Sequence, residues 1–102
     1  FVFPALSECF VLPPLEPMAS GTPVVCSAAA AMPEVVGDAA LLVPPRDAGR
    51  LAAAIRRLLD DDGLARGLAR RGIERAGRFT WAATAGATVA AYREALSLAA
   101  PG

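Results

Sequence analysis

Three short apolar runs, each fenced by proline, glycine or serine, set the tightest limit on what this chain folds into. Phe1 to Phe3 (FVF), Thr22 to Cys26 (TPVVC) and Ala40 to Val43 (ALLV) are rich in β-branched or aromatic residues and show no polar alternation, the pattern of short strands buried on both faces. Between the first two lies LPPLEPMASG, a short helical pattern whose prolines sit at its start, where missing N–H groups cost little, and which Gly21 stops. Between the second and third, MPEVVGD leaves room for about two helical turns before Gly37 ends them. Strand, helix, strand, helix, strand at this spacing predicts βαβ units around a parallel sheet.

After Val43 the period changes from strand to helix. Pro44 and Pro45 break the strand, and Asp47 is placed to cap a helix whose Leu51, Ile55, Leu58 and Leu59 fall on one face. Asp60 to Gly63 reads as a turn, followed by a second helix from Leu64 to about Arg78 that Gly67, Gly72 and Gly77 weaken. Phe79-Thr80-Trp81 restarts the pattern, with Thr80 as N-cap and Trp81, Ala85, Val89, Tyr92 and Leu96 along one face. The expectation is an α/β chain with short parallel strands, flanking helices and a helical C-terminal half.

Composition removes several kinds of chemistry. The 102 residues suffice for one domain with a single modest core, and ten arginines balance ten acids, so no global field argues for nucleic acid as a partner. Histidine and lysine are absent, which excludes histidine metal sites, Ser-His-Asp triads and lysine Schiff bases within this chain. Cys9 and Cys26 lack CxxC spacing and read as free thiols in a reducing compartment. No apolar run approaches the roughly 20 residues of a membrane helix, and the expected location is cytoplasmic. A start at Phe1 rather than methionine reads as a fragment of a longer protein.

The chemistry-bearing stretch is SECFVLPPLE, Ser7 to Glu16. Ligands of parallel sheets bind beyond the carboxyl ends of the strands, where loops feed helix N-termini. Glu8 is expected at the mouth of such a crevice and Glu16 about one turn into the helix; an ionised carboxylate there accepts hydrogen bonds from hydroxyls. On residue type alone, two solvated surface acids are the commoner outcome.

The spaced matches across the chain change that weighting. Glu8, Phe10, Leu12, Glu16, Met18, Ala19, Gly21, Pro23, Val24 and Val25, then Pro33, Glu34, Val35, Val36, Gly37 and Asp38, together with LAAAIRRLLDDDGLARGLARRGIERAGRFTW, closely resemble the C-terminal end of retaining GT-B glycosyltransferases of glycosyltransferase family 4. The resemblance runs from Phe1 to about Leu96. It implies that residues 1–98 are part of a Rossmann-like donor-binding domain, with the N-terminal acceptor domain and the upstream half of the donor domain absent. It implies further that Glu8 contacts hydroxyls of the donor sugar, that Glu16 contacts the nucleotide ribose, and that backbone amides around Phe10, Val11 and Leu12 hold the sugar and diphosphate. The donor is then a nucleotide-sugar such as a UDP- or GDP-sugar, no metal is expected, and the acceptor is a glycan or a lipid-linked sugar. The family's positive groups for the leaving diphosphate lie upstream of this chain, so the polypeptide alone is expected to be inactive.

The chain departs from the family pattern near the same site. Cys9 and Val11 stand where glycine is usual, and Pro17 where alanine is common, which predicts an impaired donor site and a helix kinked or weakened at Pro17, displacing Glu16. Arg66, Arg70, Arg71, Arg75 and Arg78 read as a solvated basic band with Glu74 pairing to Arg70 and Arg78, and secondarily as peripheral contact with anionic lipid at the cytoplasmic face. For Trp81 and Tyr92, helical spacing favours core packing over a stacking platform. In the family the last helix often packs across the other domain, so its stripe is also open to exposure here. The competing function is a non-catalytic Rossmann-like module that binds a nucleotide or a protein.

Overall fold

The structure is a computed structural model that describes residues 1–7 and 12–99. Strands β1 (Val2–Phe3), β2 (Val25–Ser27) and β3 (Leu41–Val43) form a parallel sheet in the order β1-β2-β3. Val2 pairs with Val25 and Phe3 with Cys26; Val25, Cys26 and Ser27 pair in turn with Leu41, Leu42 and Val43. The crossovers are helices α1 (Leu12–Ala19) and α2 (Met32–Val36). Helices α3 (Ala48–Asp60), α4 (Asp62–Ala76) and α5 (Trp81–Ala99) follow. This is the α/β architecture expected from the three apolar runs.

β2 begins later than TPVVC suggested, and the reason lies in how α1 ends. Gly21 takes φ +75°, its N–H donates to the Met18 carbonyl at 3.1 Å, and the Thr22 N–H reaches back to the Pro17 carbonyl at 2.9 Å. That pair of bonds is a Schellman cap, and it consumes the Thr22 amide. Pro23 has no N–H to give a ladder, so strand pairing waits for Val25. α1 runs through Pro17 to Ala19 without a break despite losing one internal hydrogen bond there.

The core lies between the sheet and the two crossover helices. Leu15 and Met18 of α1, Val24 and Cys26 around β2, and Met32, Val35, Val36, Ala39 and Ala40 form one buried cluster, with Phe3 and Ala76 half-buried against it. Burial of the Cys26 thiol pushes its pKa up from 9.0 to about 11. At the carboxyl end of β2, buried Ser27 donates its hydroxyl to the Ala5 carbonyl and so holds the chain leaving β1.

α4 locks against α1 through a close approach. A Cβ at Gly72 would lie 3.4 Å from the Met18 Cβ, so the residue expected only to weaken α4 is what lets two backbones meet. The expected turn at Asp60 to Gly63 contracts to Asp61 alone. Its N–H caps α3 on the Arg57 carbonyl (3.0 Å), while its side chain accepts from the Leu64 N–H (2.9 Å) to open α4. Asp47 caps α3 as expected, accepting from the Arg50 N–H at 2.9 Å. α4 therefore starts at Asp62 rather than Leu64 and ends at Ala76 rather than near Arg78.

Arg75 corrects the picture of a uniformly solvated basic band. Its Nε donates to the Val35 carbonyl at 2.9 Å and its Nη2 to the Glu34 carbonyl at 2.6 Å, so it caps the last turn of α2 from forty residues away. The Arg78–Glu74 pair does form, at 3.8 Å and well exposed, as the i,i+4 spacing predicted. A second correction concerns α5. Trp81 is 89% exposed and Tyr92 67%, and α5 has no buried residue, so neither ring packs into a core. The Cα radius of gyration, 16.9 Å, reflects a helix standing away from the body; a compact chain of this length has about 13 Å.

Candidate functional site

The sequence placed its functional residues on the loop after β1 and the first turns of α1. Of these, Glu8, Phe10 and Val11, along with the departure at Cys9, lie outside the described residues. Leu12 and Glu16 are described. They sit one turn apart, with Leu15 and Ala19, along the wall of a single groove of about 490 Å³.

The opposite wall comes from the far end of the chain: Ala76 closes α4, Phe79 and Thr80 form the connection, and Trp81 and Thr84 belong to the first turn of α5. Three local features bring these walls together. The Met18–Gly72 approach seats α4 on α1. Beyond α4, the Gly77 N–H donates to the Ile73 carbonyl (3.1 Å) and the Phe79 N–H to the Ala76 carbonyl (3.0 Å), which closes α4 in a turn that places Phe79 on the groove wall. Thr80 then starts α5, its Oγ1 accepting from the Ala83 N–H at 3.0 Å. Phe79 is held from outside by the Arg75 guanidinium, whose carbon stands 5.7 Å from the ring centroid.

The groove is mostly apolar, with one carboxylate and two threonine hydroxyls on its walls. Glu16 is exposed; its backbone carbonyl accepts from the Ser20 amide and hydroxyl, both at 3.2 Å. Its carboxylate has no hydrogen-bond or ion-pair partner among the described residues. An unengaged carboxylate beside apolar and aromatic surface is suited to a ligand that offers vicinal hydroxyls next to a flat apolar face. Among the described residues no cation lines the groove. The tip of α1 is also poor in donors: Pro13 and Pro14 carry no N–H, so among the described residues only the Leu12 amide is available there to an anion.

Sequence reasoning found one wall of this groove and, on the other, weighed only Trp81, as a stacking platform less favoured than core packing. Phe79 and Thr80 were read only as a helix boundary and Ala76 not at all. The signal that was present is the adjacency of two aromatic residues across a capping threonine, which fixes both rings relative to a helix start.

A family model described as glycosyl transferases group 1 matches residues 1–61. The chain is 42% identical over 93 residues to an O-antigen chain mannosyltransferase B from Escherichia coli, covering 91% of this chain and 24% of that protein. It is 47% identical over 98 residues to an MMP alpha-(1->4)-mannosyltransferase from Mycolicibacterium hassiacum, covering 92% of this chain and 24% of that one. Among solved structures, sucrose-phosphate synthase from Thermosynechococcus elongatus aligns with a TM-score of 0.80 at 40% identity, over 96% of this chain and 25% of that one. The chain thus spans about a quarter of the length of the relatives it matches.

Proposed function

The chain belongs to the group 1 glycosyl transferases, and on that premise we propose that it supplies part of the donor site of an enzyme that moves a sugar from a nucleotide-sugar, such as a UDP- or GDP-sugar, to an acceptor with retention at the anomeric carbon. Its α/β architecture is that of a portion of a GT-B fold. The observation that carries the reading is the exposed Glu16 carboxylate, without a partner among the described residues, on the wall of a groove of about 490 Å³, at the position where the family pattern has its second glutamate.

In this reading Glu16 accepts hydrogen bonds from the ribose diol, a geometry that two adjacent hydroxyls and one carboxylate satisfy together. The same reading assigns Glu8 to hydroxyls of the donor sugar and the amides around Phe10, Val11 and Leu12 to the sugar and diphosphate. What this set lacks is positive charge for the leaving diphosphate. Preorganised charge at the leaving group is usually the largest catalytic term, and neither the groove wall nor the proline-rich start of α1 offers it. The cations and the acceptor-binding surface belong to other parts of the parent enzyme, so the chain alone binds a donor weakly and transfers nothing.

Incubating the chain with UDP-glucose and with GDP-mannose, and following nucleotide release by chromatography, tests this division of labour. The expected result is release no faster than in buffer. Protein-dependent release that scales with chain concentration overturns it.

A further inference from the structure

The chain exposes 6692 Å² to solvent, whereas a compact monomer of 10.4 kDa exposes about 5,400 Å². The excess of roughly 1,300 Å² has its clearest source in α5, which runs for 19 residues without a buried side chain in a molecule 61 Å long. A standard interface covers about 800 Å² on each partner, so one such interface fits within the excess. The uncovered face is also ordered. Trp81, Ala85, Thr88, Val89, Tyr92 and Leu96 fall within one stripe about 100° wide, and Arg93 and Glu94, the charged residues of the helix, fall outside it.

We propose that this stripe is the contact surface for α5 of a second copy of the chain, the two helices running antiparallel about a two-fold axis between Thr88 and Val89. The spacing is what selects a second copy. Trp81 and Leu96 lie equally far from that midpoint, and so do Ala85 and Tyr92, so an antiparallel copy sets the whole stripe against itself in one register. The indole then covers Leu96 of the other copy, twice by symmetry, and Ala85 leaves room for the Tyr92 ring. The polar member of the stripe, Thr88, donates its hydroxyl to the Thr84 carbonyl of its own helix at 2.7 Å, so it enters the seam with its donor satisfied. The body meets α5 at its first turn, through Trp81 and Thr84, and an antiparallel pair therefore carries the two bodies at opposite ends. A lipid surface suits the helix less well. One arginine against one glutamate leaves it neutral, and no helix among the described residues is long and apolar enough to cross a membrane. The pairing does not depend on the role given to Glu16.

Sedimentation equilibrium of the chain from micromolar to millimolar concentration reads the association, with far-UV circular dichroism checking the fold of each variant. The expected result is a reversible monomer–dimer equilibrium, weakened about a hundredfold by Tyr92→Glu, which buries a charge opposite Ala85, and unchanged by Glu94→Lys on the far face of the helix. Leu59→Glu, at an exposed apolar position of α3, is likewise expected to leave it unchanged. Orientation is read in a mixture of ¹⁵N-labelled and ¹³C-labelled chains. Trp81 and Leu96 lie about 22 Å apart along one helix, so a nuclear Overhauser contact between the single indole N–H and the Leu96 methyls arises only between copies, and only in the antiparallel pair. A chain that stays monomeric at millimolar concentration refutes the proposal and leaves α5 to a different partner. A dimer that survives Tyr92→Glu also refutes it, as does one without the Trp81–Leu96 contact. A dimer lost in Leu59→Glu places the contact beside Phe1 and Val2 instead, and refutes it too.

Discussion

Replacing Arg75 by methionine removes the guanidinium and keeps the alkyl stem, and its cost follows from the contacts that guanidinium makes. α2 is five residues long and far too short to hold itself together, so its last carbonyls need partners from elsewhere. Arg75 provides two, to Val35 at 2.9 Å in a half-buried setting and to Glu34 at 2.6 Å in an exposed one. A hydrogen bond from a charged donor contributes about 1.5–3 kcal/mol when shielded and well under that in water, and the contact over Phe79 adds about 0.5–1 kcal/mol. Discounted for exposure, the loss is about 2–3 kcal/mol. With a urea slope of about 1.5 kcal/mol/M for a chain this size, the midpoint of the far-UV circular dichroism transition should fall by about 1.3–2 M. Arg71→Met, at an exposed position one turn earlier on the same helix, is the control and should stay within about 0.5 kcal/mol of the native chain. Equal midpoints for the two variants would refute the claim that Arg75 clamps α2. Amide exchange sharpens the result, since loss of the clamp should open Val35 to Gly37 before the rest of the core.

Three further outcomes follow from the packing. Gly67→Ala, with nothing within 4 Å of the added Cβ, should stabilise α4 by up to about 1 kcal/mol. Gly72→Leu, pressed against Met18, should cost about 1–3 kcal/mol in the same urea titration. Cys26 titrates at about 11 in the fold, raised from 9.0 by burial, so its protonated form is favoured by folding; that stability is whole below pH 9 and is lost as the pH climbs towards 11. At about 1.4 kcal/mol per pKa unit the loss reaches about 2–3 kcal/mol. The native chain should therefore lose more stability between pH 8.5 and pH 11 than Cys26→Val does, as read from paired urea titrations.

The strands, crossovers and caps were legible because each is written in neighbouring residues. Asp47 and Thr80 announced helix starts, Gly21 and Gly37 announced helix ends, and both glycines do take positive φ, +75° and +57°. What the sequence concealed depends on contacts between distant segments. Arg75 looked like one member of a basic band, and nothing near it in sequence says that the α2 carbonyls lie within reach. Gly72 looked like a weak point in α4, and its value appears only where α1 comes up against it. For Trp81 the period was read correctly and the conclusion was not, because a stripe along a helix states that a face is apolar without stating what covers it. The candidate site was half legible for the same reason: Glu16 and Leu12 belong to a local pattern, whereas the wall facing them arrives some sixty residues later.

The central claim is that Glu16 holds a ribose diol, and it is tested most directly by comparing UDP with its 2′,3′-dideoxy analogue on the native chain and on Glu16→Gln, by isothermal titration at millimolar ligand. The account predicts that the native chain prefers the ribonucleotide by about tenfold, the effect of about 1.4 kcal/mol from hydroxyls donating to a charged acceptor, and that Glu16→Gln loses most of that preference without losing its fold. Equal binding of the two nucleotides by the native chain, or an undiminished preference in Glu16→Gln, would contradict it.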